Sequence, residues 1–385
     1  MNIIELKECQ KPTDEEDIFA CLEIFKEANK TYPLPESLCL VKSSICESCT
    51  EKKIKVYSNL LIDKHKVELG LLSPKNSRAH KILKHTVRRD YDNSMFSELQ
   101  KLEKVNIDLP KAQSLTIGCI IHSFNNRKNI DQLYNGLQDI DFDEIIICED
   151  GSSDGSKEKW EEYSQKDKRI KIRYSRNIHE LRCFDFAIRE ASSDVCCLFQ
   201  GDDIIPDDKG IWFEQGKELL EVLPILVVLG GMASINIHKV VCPERFIRED
   251  RFARGSLEVS SLTVNKIPFT YIMAAIVGPY FVRRSSYIEL GGFEIIHKVG
   301  KPSIFHDLLF GVKVWDNGYK VGMYKTIFNK PCGSCKRLKE DEAYKSIYYQ
   351  ELCIDTNYFY LNYTNEKLDE IKKDIVNSNL LLRSA

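Results

Sequence analysis

Two different hydrophobic patterns divide the chain. Up to about residue 112, apolar residues recur at helical spacing, for example Ile18, Leu22 and Phe25, and Pro33 and Pro35 close that stretch. Apolar positions repeating every three or four residues are typical of amphipathic helices, and proline ends them. Residues 1–111 are therefore predicted to form an all-helical N-terminal module that resembles helical repeats, although no fixed period is found.

The pattern changes at Leu115, after which short apolar runs alternate with amphipathic ones. Apolar runs of the length of a buried strand lie at 115–121, 144–148 and 195–199, and residues 170–174 are predicted to form a further strand. Strands that alternate with helices indicate βαβ units, a parallel sheet and right-handed crossovers. We therefore predict an α/β domain at 112–330, with a doubly wound, mainly parallel sheet and helices on both faces. Residues 331–385 are predicted to form a C-terminal helical extension.

Polar residues with chemical potential follow three of these strands. They are His122 and Ser123, then Glu149 and Asp150, and finally Gln200, Gly201, Asp202 and Asp203. In open α/β sheets, ligands bind in the crevice outside the carboxyl ends of the strands. Hard divalent cations prefer oxygen ligands and often join one or two carboxylates to substrate phosphates. The pattern thus predicts a site for a metal-bound diphosphate, while a solvated acidic turn stays the alternative for the aspartate pair alone.

These segments, in this order, resemble family-2 glycosyltransferases, which have the GT-A fold. The matching blocks are Ile120–Asn125, Glu149–Asp154, Gln200–Asp203, Arg283–Phe293 and His306–Tyr319. The resemblance covers about residues 115–330 and leaves both flanks out. It implies transfer of a sugar from a nucleoside-diphosphate sugar, with a UDP-linked donor expected, to a glycan or lipid-linked acceptor. It also implies inversion at the anomeric carbon.

The resemblance also implies roles for residues of the donor site. Asp202, with Asp203 beside it, matches the carboxylate that ligates the metal, so Mn²⁺ or Mg²⁺ is the expected cofactor. Asp150 matches the residue that contacts the nucleoside base, and Glu149 is its neighbour. His122, Ser123, Gln200 and Gly201 complete the expected nucleotide-sugar pocket. From the residues alone, Asp150 beside Gly151 is also typical of a turn.

The resemblance implies that Asp307 is the general base, with His306 beside it. Two departures from the family pattern bear on activity: Gln200 replaces the first aspartate of the Asp-x-Asp motif, and His306 replaces a glutamate. An amide is a poorer ligand for a hard metal, and a histidine would make the base sensitive to pH. Asp307 alone would also suit the N-terminus of a helix, where a carboxylate interacts favourably with the dipole.

The departures keep a second function open, a non-catalytic relative that binds a nucleotide or glycan and acts as a scaffold. A sugar-phosphate nucleotidyltransferase is a further alternative. It would require a glycine-rich basic loop after the first strand, and His122–Arg127 does not provide one. The absence of Gly-x-Gly-x-x-Gly after that strand argues against a dinucleotide oxidoreductase.

Composition narrows the expected partners and location of this 385-residue chain. A formal net charge of −3 gives no electrostatic reason to expect nucleic acid. No apolar run approaches the length of a membrane span, and the first residues lack a secretory pattern, so a cytoplasmic protein is expected. The 14 cysteines are then expected to be reduced thiols.

Two basic stretches suggest anionic contacts. Lys75, Arg78, Lys81, Lys84 and Arg88 would form one helix face, which is typical of a solvated surface, with peripheral contact at the inner membrane surface as the alternative. The second stretch has arginines at three-residue steps from Arg245 to Arg254. If it is helical, it would form a basic face suited to an anionic acceptor, or it would pair with its own acidic residues.

Overall fold

The computed structural model describes most of the predicted α/β domain and part of the C-terminal extension. The described residues are 103–234, 245–246, 254–259, 262–326, 347–348, 351, 354–355, 358–359 and 362–384. The predicted N-terminal helices and the basic face from Lys75 to Arg88 lie outside them.

The elements appear in the following order along the chain. They are β1 (Val105–Ile107), β2 (Ile117–Ser123), α1 (Arg127–Gln138), β3 (Glu144–Glu149), α2 (Ser156–Lys166), β4 (Ile170–Tyr174), α3 (Glu180–Glu190), β5 (Val195–Gln200), α4 (Ile211–Val222), β6 (Leu226–Gly230), β7 (Met232–Ser234), β8 (Arg245–Phe246), β9 (Arg254–Val259), β10 (Leu262–Val264), β11 (Ile267–Tyr271), β12 (Tyr280–Arg283), α5 (Arg284–Glu289), α6 (His306–Asp316), β13 (Lys320–Tyr324) and α7 (Asn365–Arg383).

One large mixed sheet forms the centre of the described structure. Its strand order is β1-β10-β11-β13-β6-β12-β5-β2-β3-β4. The half that contains β5, β2, β3 and β4 is parallel, and β12 runs antiparallel to both β5 and β6. The predicted α/β class is confirmed, and the four strands predicted from the sequence are β2 to β5. The apolar character of β2, β3 and β5 follows from burial on both faces of the sheet, whereas β4 is an edge strand with exposed residues.

The helices between these strands bury the stripe that their sequence predicts. In α1, Ile130, Leu133 and Leu137 are buried, and they follow each other at steps of three and four residues. In α3, Leu181 and Phe184 are buried in the same way. This spacing places one apolar face of each helix against the sheet, where it excludes water from the core.

Both ends of the described structure are attached to the sheet. Strand β1 pairs in parallel with β10. Residues Val105–Ile107, which precede the predicted boundary at residue 111, therefore belong to the sheet. At the other end, Asn379 of α7 accepts a hydrogen bond from the Tyr271 backbone N–H at 3.0 Å and donates one to its carbonyl at 3.2 Å. The domain limits at 111 and 330 stay predictions.

The second basic stretch is not helical where the structure describes it. Arg245 lies in β8 and Arg254 in β9, and β7, β9 and β8 form a small antiparallel sheet. A helical face that includes these two arginines is therefore wrong, because successive residues of a strand alternate between its two sides. No helix within the described ranges has both the length and the apolar character needed to cross a membrane.

Candidate active site

The carboxyl ends of β2, β3 and β5 lie side by side, and we call this part of the sheet the donor edge. The strand register pairs His122 with Gln200 and Ser123 with Glu149. Three polar segments that are far apart in the sequence thus meet at one end of the sheet, which is where open α/β sheets bind ligands.

Asp150 is a carboxylate of the donor edge that accepts hydrogen bonds from several protein donors. Its Oδ1 accepts hydrogen bonds from Ser175 Oγ at 2.7 Å and the Ile178 N–H at 2.8 Å. Its Oδ2 accepts one from the His179 N–H at 2.9 Å and lies 3.3 Å from His122 Nε2. Burial would raise the pKa of Asp150, but these donors together lower it. The carboxylate thus fixes the loop after β4 against the end of β2.

His122 is held in its charged form by this environment. Burial lowers the pKa of His122, but hydrogen bonds to Asp150 and Cys183 raise it to about 10. The ligand atoms of His122, Asp150 and Cys183 lie within 4.8 Å of one another, which is a metal-like arrangement. This set includes a thiol and an imidazole, which suit zinc better than Mg²⁺ or Mn²⁺. Because Asp150 already accepts from several protein donors, the described geometry is that of an ion pair beside a thiol.

Glu149 and Ser123 are directed into the protein. Glu149 is buried, and its carboxylate accepts from the Ser152 N–H at 2.7 Å and the Gly151 N–H at 3.2 Å. Ser123 is also buried, and its Oγ accepts from Trp160 Nε1 at 3.0 Å. These contacts shape the turn after β3 and hold α2 against β2. The structure therefore places both residues behind the donor edge.

The four residues that end β5 form a tight turn. Asp203 is buried, and its Oδ2 accepts from the Gln200 N–H at 2.8 Å. The Gln200 side chain donates from Nε2 to Glu180 Oε2 at 2.6 Å. Gly201 leaves room for Asn126, whose Nδ2 would lie 2.3 Å from a Cβ built at position 201. The turn directs the Asp203 carboxylate inward and leaves the half-buried Asp202 at the end of the strand.

Asp202 is the residue whose position best fits a divalent cation. It is half-buried at the carboxyl end of β5, whereas Asp203 uses its carboxylate within the turn. Mg²⁺ and similar cations need only one or two protein carboxylates when substrate phosphates supply further oxygen ligands. The donor edge therefore fits a diphosphate-bound ion held through Asp202.

The predicted base and its neighbour form the first turn of α6. Asp307 is buried, and its Oδ1 accepts from the Leu308 N–H at 2.8 Å. His306 Nδ1 lies 3.2 Å from the Ser303 carbonyl oxygen, so this nitrogen is the donor. The His306 ring meets Phe293 edge-on, with 5.6 Å between the ring centroids. Both residues are thus held in fixed orientations at the start of the helix.

Tyr280 connects this helix start with the donor edge. It begins β12 and pairs with Leu198 of β5, and the two strands run antiparallel. Tyr280 therefore lies near the carboxyl end of β5, where Asp202 follows. Burial, and then the charge of Asp307, raise the pKa of Tyr280 well above its usual value. The charge of Asp307 thus acts on Tyr280, the residue that begins β12 beside β5.

Sequence reasoning missed several residues of this site. Glu180, Cys183 and Tyr280 carry no motif of their own. The fold brings Glu180 to Gln200 and Cys183 to His122 and Asp150, and it places Tyr280 within the influence of the Asp307 charge. The sequence held a partial signal for Glu180 and Cys183, because residues three apart at the start of a predicted helix lie on the same face. No signal in the sequence pointed to Tyr280.

The family follows from a direct comparison of the sequence. Residues 119–273 match the family model described as Glycosyl transferase family 2. This segment is thus similar to family-2 glycosyltransferases. The match begins within β2 and includes the whole donor edge, whereas His306 and Asp307 lie beyond it. The resemblance predicted from the motifs and the enzyme class it implied are thus confirmed.

Solved structures with a similar chain path include two glycosyltransferases. One is the mannosyltransferase PcManGT from Pyrobaculum calidifontis in complex with GDP-Man and Mn²⁺, at 10% identity and a TM-score of 0.43, covering 79% of this chain and 83% of that chain. Another is residues 1–349 of TarS from S. aureus with UDP-GlcNAc, at 18% identity and a TM-score of 0.37. That match covers 55% of this chain and 56% of the TarS fragment. No curated protein matches the sequence.

Proposed function

We propose that this protein transfers a sugar from a nucleoside-diphosphate sugar, with UDP as the first candidate nucleotide, to a hydroxyl group of a glycan or lipid-linked acceptor. The observation that carries the proposal is the donor edge. Within the family-2 segment, the strand register unites His122, Gln200 and the turn bearing Asp202 at the ligand-binding end of the sheet.

On the donor side, we assign the diphosphate to the end of β5. Asp202 would hold Mn²⁺ or Mg²⁺ against the phosphate oxygens. Such an ion, when bound, neutralises the charge that grows on the leaving diphosphate. Asp150 and charged His122 keep the neighbouring loops in place, so the nucleotide meets a preformed surface. Their role in this proposal is to shape the pocket. Asp150 contacts the nucleoside base only if its present hydrogen bonds rearrange.

On the acceptor side, we assign proton removal to Asp307. A general base must lie within hydrogen-bond reach of the attacking hydroxyl. The Leu308 N–H bond to Oδ1 fixes the orientation of the Asp307 carboxylate at the start of α6. Attack from the face opposite the leaving diphosphate would invert the anomeric carbon. The proposal includes the cytoplasmic location that the sequence predicts and the peripheral membrane contact that it leaves open.

The test is a donor screen on the full chain. UDP- and GDP-sugars are incubated with candidate acceptors, with Mn²⁺ or with a chelator, and both nucleotide release and sugar transfer are measured. We expect release and transfer that depend on the metal and on Asp202. Asp207→Ala is the matched control, because Asp207 is an exposed aspartate close to the same turn.

Two results would contradict the proposal. Nucleotide binding without turnover for every donor and acceptor would favour the scaffold alternative. If neither the chelator nor the Asp202→Ala change lowers turnover below that of the wild-type enzyme with Mn²⁺, the metal has no part in the mechanism. Calorimetric titration of UDP and GDP, with and without Mn²⁺, separates binding from transfer in both cases.

A further inference from the structure

A buried histidine joins the loop before α6 to the C-terminal extension. His297 Nδ1 lies 2.6 Å from Glu351 Oε2, and its Nε2 lies 2.6 Å from Asp355 Oδ1. All three side chains are buried. Because ionised carboxylates only accept hydrogen bonds, both ring nitrogens must donate, and the ring is an imidazolium. We call these three residues the His297 cluster.

The second oxygen of Asp355 reaches the backbone just before α6. Asp355 Oδ2 accepts from the Ile304 N–H at 2.5 Å and from the Phe305 N–H at 3.1 Å. The N-cap position of α6, Phe305, provides no side-chain hydrogen bond of its own. The backbone N–H groups at the start of a helix require acceptors from elsewhere. Asp355 lies about 50 residues further along the chain and provides the acceptor for these two N–H groups. The two groups directly precede His306 and Asp307.

Three further hydrogen bonds connect the same loop to its surroundings. Glu294 accepts from Lys313 Nζ of α6 at 2.6 Å and from Tyr358 Oη of the extension at 3.1 Å. Arg182 Nη2 of α3 donates to the His297 carbonyl oxygen at 2.6 Å. The loop is therefore held between α3, which borders the donor edge, and the C-terminal extension.

We propose that the His297 cluster is a positioning device through which the C-terminal extension sets the place of Asp307. This inference rests on the proposed role of Asp307 as the base. Asp355 acts on Asp307 through two backbone N–H groups that precede it by two and three residues. The extension is then a functional part of the active site, and Asp355 acts there through the backbone that precedes Asp307.

The charge state of the cluster gives it a pH signature. Burial lowers the pKa of His297, but hydrogen bonds to Asp355 and Glu351 raise it to about 9. The charged groups that face the ring are these two carboxylates from the extension, and Arg182 of α3 holds the carbonyl of the same residue. The pKa of His297 in the folded protein lies above the usual 6.5. The contribution of the cluster to the stability of the fold is therefore fully present below pH 6.5 and is lost as the pH rises through about 9.

The test uses Asp355→Asn and Glu351→Gln in the full chain. Each variant keeps the size of the side chain but removes the charge that holds the imidazolium. A misplacement of about 1 Å can cost roughly 10²-fold in rate. We therefore expect kcat to fall by about tenfold to 10²-fold, while the donor KM and the calorimetric Kd for the nucleotide stay unchanged. Asp369→Asn is the matched control, because Asp369 is an exposed aspartate of α7 paired with Lys372.

Amide hydrogen exchange tests the cluster without requiring turnover. We expect the Ile304 and Phe305 amides to lose protection in both variants and, after correction for the intrinsic rate, in the wild-type protein above pH 9. If these amides keep their protection, the proposal is wrong, whether or not the chain is a glycosyltransferase. If exposure of the amides leaves kcat unchanged in an active enzyme, or if nucleotide binding is lost with kcat, the cluster has no positioning role. A wild-type chain inactive with all donors instead overturns the proposed function.

Discussion

The donor edge and the start of α6 are built in different ways. At the donor edge, polar side chains follow the strands directly and bond within neighbouring turns, as when Glu149 accepts from the Ser152 N–H or Asp203 from the Gln200 N–H. The start of α6 depends on Asp355, which lies about 50 residues away in the extension. The donor edge thus takes its shape from turns beside the strand ends, whereas the start of α6 depends on a residue of the C-terminal extension.

The largest effect is expected at the donor edge itself. Asp202→Ala would remove the proposed ligand of the cation, and a metal ion contributes several kcal/mol to stabilising charge in a transition state. We expect transfer to fall by about 10³-fold or more and metal-assisted nucleotide binding to weaken with it. Steady-state kinetics and calorimetry with Mn²⁺ measure both. Unchanged affinity and turnover would place the metal elsewhere.

This division also explains what the sequence could predict. Strands β2, β3 and β5 and the polar residues after them were predictable, because buried parallel strands require apolar runs and their ends bind ligands. The inward direction of Ser123 and Asp203 was not predictable, since it depends on Trp160 and on the turn geometry. Asp355 carries no motif, because its partners lie in another part of the chain.

The second prediction concerns the base. Asp307→Asn keeps the shape of the side chain and its ability to bond the Leu308 N–H, but removes the proton acceptor. General-base catalysis contributes roughly 10²–10⁴-fold, so kcat should fall by that factor. The donor KM should hardly change, because the interaction belongs mainly to the transition state. Turnover within a few-fold of wild type would mean that Asp307 only stabilises the helix start.

The third prediction measures how rigid the donor edge is. Asp150→Asn would leave charged His122 without its buried partner, a change that typically costs about 3–5 kcal/mol of unfolding free energy. Denaturant unfolding at pH 7 tests this, with exposed Asp139→Asn as the control. A loss equal to that of the control would mean that the ion pair contributes nothing to stability.

The same variant has a pH dependence of known sign. The pKa of His122 is raised from 6.5 to about 10, so the ion pair contributes fully below pH 6.5 and is lost as the pH rises through about 10. The pKa of Asp150 is lowered from 3.8, so its contribution is present above that value and is lost as the pH falls. The stability difference between wild type and Asp150→Asn should therefore narrow above pH 10 and in acid. A constant difference would contradict this assignment.

The smallest effect is expected from Gly201→Ala, which tests whether the end of β5 is as tightly packed as the contacts indicate. The new Cβ would lie 2.3 Å from Asn126 Nδ2 and 3.0 Å from the His122 carbonyl oxygen. The Asn126 amide can move aside, whereas the backbone carbonyl has less freedom, so we expect the low end of the roughly 1–3 kcal/mol that overpacking costs. Affinity for the donor should weaken by a few-fold with kcat unchanged.

Adding Asn126→Ala removes the closer contact, so the double variant should recover most of the loss in unfolding free energy. If the two changes are simply additive, Asn126 does not contact position 201, and the turn that presents Asp202 is looser than its geometry indicates.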